Sequence, residues 1–363
     1  MGGRAGAVED VVGQPMSCLP EQDMNHVLSH VGDSWQDLRD GSVFLTGGTG
    51  FVGRWLLESL LWATDRLNLR VRVVVLTRDP ARFRQTSPHL AAHPSVHLLQ
   101  GDLLRFQFPT EQFPFVIHAA TERRLAPDSE RPMSTFDMDL DATRRVLEFA
   151  RQHGVRRLLF TSSGAVYGTQ PSELTHIPEE YTGGPSTMDS ASAYGHGKRA
   201  SEFMTAMYGR TYGFDATIAR LFAFVGPLLP LDGQYAAGNF IRDLLRGGPV
   251  RVAGDGTPYR SYLYAADLAI WLWTILLRGR ATYPYNVGSP HQLTIGDLAR
   301  AIVRLGAPGT LIDTAERPLP GAPPLRYVPR TLRAEHDLGL RAFIPIDQGI
   351  HQTLAWYRNG ASA

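Results

Sequence analysis

The sequence predicts an α/β fold, a doubly wound parallel sheet with a smaller C-terminal lobe interleaved with it. Three observations carry this. Short β-branched runs alternate with helical periodicity from Ser42 onward, a glycine-rich turn separates the first run from the first helix, and beyond residue 224 the texture becomes irregular and rich in Gly and Pro. Strands that alternate with helices require crossover connections, and crossovers cover both faces of a parallel sheet.

The elements follow in order. Residues 1–40 read as a polar lead with one amphipathic segment, Met24, Val27, Leu28 and Val31, after Asp23 as a candidate cap. This is expected to be a packed extension. Val43–Thr46, Val71–Thr77, Val96–Gln100, Phe115–His118, Leu158–Ser163 and Ala216–Leu221 read as strands, and helical patterns fall at about 53–64, 138–152 and 194–209. Together they delimit a nucleotide-binding domain over 41–224, with contributions from about 262–290. Residues 225–261 and 291–363 make the smaller lobe, with periodic stretches at 238–246, 295–305 and 347–357. Tyr262–Leu277 is the most apolar stretch. It is shorter than a membrane span and contains Asp267, so it reads as a strand end and a buried helix.

Composition narrows the classes. The chain has 363 residues with 36 basic against 35 acidic side chains, a formal charge of +1, which gives no concentrated basic surface for nucleic acid or an anionic membrane. The one cysteine, Cys18, excludes an intrachain disulfide and a multi-cysteine metal site. The N-terminus lacks the basic-then-apolar profile of a signal peptide, so a cytoplasmic protein without a metal is expected.

The turn is Thr46–Gly53, TGGTGFVG, directly between strand and helix. Gly47 permits the tight turn and Gly50 lets backbone approach a pyrophosphate. Gly53 lets helix and strand pack closely, so that the helix N-terminus with Phe51 and Val52 faces the phosphates. This is the Rossmann-type signature of a dinucleotide. At the end of the second strand Thr77 stands where an acidic residue would hold the ribose of NAD, and Arg78 follows, which suits the 2′-phosphate of NADP. NADP is therefore favoured over NAD; in the alternative, Arg78 is a solvated loop residue and Asp79 takes the ribose.

A second constellation carries chemistry. The strand ending at Ser163 is followed by Tyr194 and Lys198, four apart on one helix face. A neighbouring ammonium stabilises a phenolate, which makes Tyr194 a usable acid/base, and the Ser163 hydroxyl can bond the same substrate oxygen. Lys198 is the only Lys among the 36 basic residues. In so Arg-rich a chain, a surviving Lys marks a position that needs an amine and not a planar guanidinium.

At this point the chain resembles the extended short-chain dehydrogenase/reductase family, the nucleotide-sugar epimerases and dehydratases, from about Ser42 to Tyr357. The marks are TGGTGFVG, Gly101–Leu103, His118–Ala120, SSGAVYG from Ser162, the Tyr194/Lys198 pair, Arg220–Pro227, Gly254–Gly256, Arg260–Asp267 and Tyr285–Gly288. By resemblance Asp102 contacts adenine beside Leu103, and Ala119 and Ala120 admit the cofactor backbone. Glu122 and Arg123 line the sugar pocket. Arg260 holds a nucleotide diphosphate, or else pairs with Asp255. Ala223 replaces the family's substrate-contacting Asn, with Asn239 either compensating or capping a helix over 240–246. Family members also pair two helices across a two-fold axis. Here the stripes Leu140, Thr143, Leu147, Ala150 and Ala200, Phe203, Met204, Met207 either form such a homodimer or cover the sheet.

The departures direct the choice of reaction. The 4,6-dehydratases follow the Ser-strand hydroxyl with an Asp–Glu pair, and the sugar-acid decarboxylases keep the Glu; here those places are Gly164 and Ala165. Glu122 either supplies the missing proton chemistry or is a salt-bridged loop carboxylate. An epimerase acting on a nucleotide-diphosphate sugar, with hydride transfer at C4 and Tyr194 exchanging the proton, is the first expectation. An NADPH-dependent 4-ketoreductase follows, then a 4,6-dehydratase, and finally a non-catalytic dinucleotide sensor, which would have no need of Ser163, Tyr194 and Lys198.

Overall fold

The computed structural model describes residues 18–121, 131–233 and 235–360. The first element, α1 (Glu21–Val31), buries Met24, Val27 and Val31 as the periodicity requires. Asp23 does not cap it. The helix begins two residues earlier, and Asp23 is buried with its carboxylate accepting a 2.7 Å hydrogen bond from Tyr264 Oη.

Then follow β1 (Ser42–Thr46), α2 (Phe51–Leu67), β2 (Arg72–Thr77), the short helices α3 (Pro80–Thr86) and α4 (Pro88–Ala91), and β3 (Val96–Gln100). The chain continues with β4 (Phe115–His118), α5 (Pro132–Gln152), β5 (Arg157–Ser163), α6 (Ala193–Tyr212), β6 (Asp215–Leu221) and β7 (Ala223–Val225). The C-terminal part comprises α7 (Ala236–Leu245), β8 (Val250–Val252), β9 (Tyr259–Tyr264), α8 (Ala265–Arg278), β10 (Pro284–Val287) and β11 (Gln292–Thr294). It ends with α9 (Ile295–Gly306), β12 (Ile312–Thr314), β13 (Arg326–Tyr327), α10 (Leu332–Leu338) and α11 (Ile346–Gly360).

Seven strands form one parallel sheet in the order β10-β6-β5-β4-β1-β2-β3. The order reverses direction between β1 and β4, and such a switch point opens a crevice at the strands' carboxyl ends. The central strands are buried along nearly their whole length, as expected of a sheet covered on both faces. One face packs under α2, α8 and α1, where Trp35, Trp55, Trp271 and Trp273 are fully buried. The other packs under α5 and α6, with Phe44, Phe106, Phe113 and Phe149 in mutual contact. A smaller sheet joins β11, β9 and β13, with β7 also on β9, beside the carboxyl end of the large one.

The apolar stretch is β9 running into α8, as expected, and its Asp267 is fully buried between His26 Nε2 (2.9 Å) and the Ile344 amide (2.9 Å). No helix among the described residues is long and apolar enough to cross a membrane.

Candidate active site

The crevice is built from two loops. Gly47 has φ +74°, and a Cβ there would lie 2.6 Å from the backbone of Ala119 and Ala120. A Cβ on Gly53 would lie 2.1 Å from the Gly47 carbonyl oxygen. These two glycines let the β1–α2 turn seat against the end of β4 and against its own helix. Gly50 differs: an added Cβ would meet only the Gly47 oxygen at 3.4 Å, and its missing side chain leaves the N-terminus of α2 without a side-chain cap. An open backbone face at the start of a 17-residue helix fits the pyrophosphate of a dinucleotide. Phe51 and Val52, half-buried, form its first turn.

At the rim, Arg78 is exposed at the end of β2, while Asp79 accepts the Arg82 amide at 2.9 Å as the N-cap of α3. Asp102 and Leu103 are half-buried beyond β3, with one Asp102 oxygen accepting the Leu104 amide at 3.0 Å.

Beneath the cradle, Thr46 Oγ1 lies 2.8 Å from His118 Nδ1, and His118 Nε2 lies 3.3 Å from Thr143 Oγ1. Burial, aided by the Lys198 cation, lowers His118 to about 3, so this imidazole is neutral and ties β1 and β4 to α5.

Tyr194 and Lys198 do share a face of α6: Lys198 Nζ lies 5.7 Å from the centre of the Tyr194 ring and 5.2 Å from that of Phe160. Two glycines inside the helix make this approach possible. A Cβ on Gly195 would lie 2.6 Å from the Ala165 carbonyl oxygen, and one on Gly197 would lie 3.1 Å from Asp139 Cβ. Glycine in a helix interior costs about 1 kcal/mol relative to Ala, and here that cost lets α6 press against both the end of β5 and α5. Ser163 ends β5, and its Oγ accepts the Ala165 amide at 3.1 Å.

Lys198, only 2% exposed, forms a buried ion pair with Asp139 of α5 at 3.4 Å. Asp139 carries no mark in the sequence. It stands among three alternate aspartates, Asp137, Asp139 and Asp141, and only the packing of α5 on α6 distinguishes it.

The far wall comes from the smaller sheet. Tyr327 of β13 pairs in register with Arg260 of β9, whose guanidinium lies 5.6 Å from the Tyr327 ring centre. Phe222 packs on the same ring at 4.7 Å. Arg260 is not paired with Asp255, whose carboxylate accepts both the amide and the hydroxyl of Thr257 at 2.9 and 2.8 Å. Arg260 Nη1 donates to its neighbour's carbonyl, Tyr259 O.

Asn239 lies within α7, which starts at Ala236, so it is not a cap. It donates to Gly233 O at 2.9 Å and accepts from Arg242 at 3.0 Å. Glu122 and Arg123 lie outside the described residues. The Arg220 and Asn286 motifs occupy a buried strut. Arg220 pairs with Glu202 at 2.7 Å and donates to Tyr167 Oη at 2.7 Å, and Tyr167 donates to Asn286 Oδ1 at 2.7 Å. The strut ties α6 to β6 and β10, which holds the Tyr194/Lys198 face in place.

The sequence pattern described as the NAD dependent epimerase/dehydratase family matches residues 43–288. UDP-glucuronic acid decarboxylase 3 of Arabidopsis thaliana is 30% identical over 315 residues, 85% of this chain and 86% of that protein. Among solved structures, a Thermus thermophilus UDP-glucose 4-epimerase complex with NAD is 26% identical and superposes with a TM-score of 0.69, covering 87% of this chain and 99% of the other. A dTDP-glucose 4,6-dehydratase of Streptomyces venezuelae, also with NAD bound, is 24% identical with a TM-score of 0.73 over 88% of this chain and 98% of its own. The proteins that this chain is similar to thus carry the names of three different reactions.

Proposed function

The chain belongs to the NAD dependent epimerase/dehydratase family, and from that premise we propose that it is a nucleotide-sugar epimerase acting at sugar C4 with Tyr194 as acid/base. The observation that carries the choice is the pair of residues that follows Ser163 at the end of β5. Gly164 and Ala165 bear no group able to move a proton, and a Cβ on Gly164 would already lie 2.6 Å from Tyr327 Oη.

In this reading residues 41–224, with about 262–290, bind the dinucleotide. Residues 225–261 and 291–363 hold the nucleotide-diphosphate sugar, whose diphosphate meets Arg260. A dinucleotide held by the β1–α2 turn at Gly47, Gly50 and Gly53 would supply reversible hydride acceptance at the sugar carbon. Tyr194 Oη accepts the O4 proton as C4 becomes a ketone and gives it back once the sugar presents its other face. The Lys198 ammonium stabilises the phenolate that stands before the proton is accepted and after it is returned, and Ser163 Oγ hydrogen-bonds O4. Hydride and proton both return, so the product is an isomer of the substrate. A dehydratase needs an acid for the leaving C6 hydroxyl and a base for the C5 proton, and a decarboxylase of this family keeps a Glu where Ala165 stands.

One observation favours a second reading, an NADPH-dependent reductase of 4-keto sugars. Arg78 is exposed at the end of β2 while Asp79 is engaged in capping α3.

The test is to incubate the protein separately with UDP-glucose, UDP-galactose, dTDP-glucose and UDP-glucuronic acid and follow each by mass spectrometry and NMR. An isomer of unchanged mass is expected from at least one neutral sugar. Loss of water or of carbon dioxide overturns the epimerase reading. Consumption of NADPH with a 4-keto sugar, without isomerisation, transfers it to the reductase.

A further inference from the structure

Beyond β7, which already belongs to the smaller sheet, the chain runs through Gly226–Pro230 towards α7, and three helices hold this short link. Trp55 of α2, fully buried and two residues past Gly53, donates from Nε1 to the Pro227 carbonyl oxygen at 2.9 Å. Tyr357 of α11 donates its hydroxyl to the Leu229 carbonyl oxygen. Gly238 of α7 comes so close that a Cβ there would lie 2.1 Å from the Pro230 oxygen, and Arg242 Nη1 of the same helix donates to Leu231 O at 3.2 Å. Between these anchors Leu228 has φ +69°, in the left-handed region that a Cβ disfavours. A leucine stays there where its surroundings over-determine it, and here the carbonyls on either side are fixed by α2 and α11.

We propose that Gly226–Pro230 is a joint that couples dinucleotide binding at the N-terminus of α2 to the position of the smaller lobe, with Trp55 as its positioning residue. The inference rests on the reading of that lobe as the seat of a nucleotide-diphosphate sugar and adds how the two sites answer to each other. Trp55 stands in the second turn of the helix whose first turn faces the pyrophosphate, so a ligand that fixes α2 also fixes the Pro227 carbonyl. Leu228 supplies two states, the left-handed one observed and the negative-φ one its side chain prefers. Passage to the second turns the peptide planes on both sides of it, which breaks the hydrogen bonds from Trp55 and Tyr357 and re-aims α7. A dinucleotide on α2 favours the first state, and a nucleotide held by the lobe beyond the joint favours the same one. Two ligands that favour one state of a shared element tighten each other's binding reciprocally.

Two measurements test this. In the first, hydrogen exchange is followed with and without NAD in wild type, Trp55→Phe and Leu228→Gly. Trp55→Phe keeps an aromatic ring and loses the donor. Leu228→Gly keeps both donors and removes the Cβ that separates the two states, so it decides the matter where loss of the indole unsettles α2. NAD is expected to slow exchange in wild type both at the β1–α2 turn and across residues 226–245, and in the variants at the turn alone. Wild-type protection that stops at the turn, or protection across 226–245 retained in either variant, overturns the proposal.

The second measurement titrates UDP calorimetrically into the protein without NAD and with NAD at saturation. NAD is expected to tighten UDP binding about 10-fold in wild type and less than about 2-fold in either variant. Equal affinities in wild type, or the same gain in the variants, overturn the coupling. If neither UDP nor dTDP binds in any state, the nucleotide-sugar reading falls, whereas the exchange measurement needs neither and still decides whether the joint answers to NAD.

Discussion

Lys198 shows how tightly the chemistry constrains one side chain. Its Nζ sits among Asp139 at 3.4 Å, the Phe160 ring at 5.2 Å and the Tyr194 ring at 5.7 Å, with almost no exposure. A guanidinium is planar, wider and a different donor, so Lys198→Arg is expected to lose most activity although the charge is kept. Tyr194→Phe removes only Oη and should cost about 10²–10⁴-fold in kcat, with NAD affinity unchanged by calorimetry. Wild-type rates in either variant contradict the assigned roles. At the cofactor's other end, Arg78 is exposed and free of the capping duty that Asp79 performs. If Arg78 meets a 2′-phosphate, Arg78→Ala weakens NADP binding by about 1.5–3 kcal/mol and spares NAD. Equal losses for both cofactors, or none, return Arg78 to the solvent.

At the scale of elements, α1 is docked by a buried acid. Burial raises Asp23 to about 6 against an ordinary 3.8, its hydrogen bond from Tyr264 and the nearby His26 offsetting this only in part. An acid that binds its proton more tightly when folded stabilises the fold below pH 4. That contribution is lost as pH rises towards 6, amounting to about 3 kcal/mol at full ionisation. Asp23→Asn keeps an acceptor for Tyr264 and does not titrate. Its melting temperature relative to wild type is therefore expected to rise between pH 4 and pH 7, and a constant difference contradicts the assignment. The same helix illustrates what was legible in the sequence. Its apolar face could be read from spacing, but Asp23 looked like a cap because burial against Tyr264, 241 residues away, leaves no local trace. The β1–α2 turn was readable because glycine, strand and helix are adjacent in sequence. By contrast, Gly195 and Gly197 act through contacts with Ala165 and Asp139, and Tyr327 packs on Phe222 from a two-residue strand in a Pro-rich stretch.

Across the whole molecule the two apolar stripes separate. On α5, Thr143, Leu147 and Ala150 are buried, and Leu147 and Ala150 join the core cluster beside the sheet, so that half of the expected bundle face belongs to the chain's own interior. On α6 the buried positions include the small residues Gly197, Ser201, Thr205 and Gly209, the first two against α5; of the expected stripe Phe203 is 66% exposed, Ala200 and Met207 are half-buried, and Met204 packs against the core cluster. An exposed Phe at the middle of a long helix is suited to its own copy about a two-fold axis, where each residue counts twice. Light scattering at micromolar concentration is therefore expected to give twice the chain mass. Phe203→Asp places a charge on each side of that axis and should yield a monomer with an unchanged circular dichroism spectrum, since most of the side chain is exposed. A wild-type monomer under the same conditions rejects the dimer, and a Phe203→Asp dimer moves the interface away from α6.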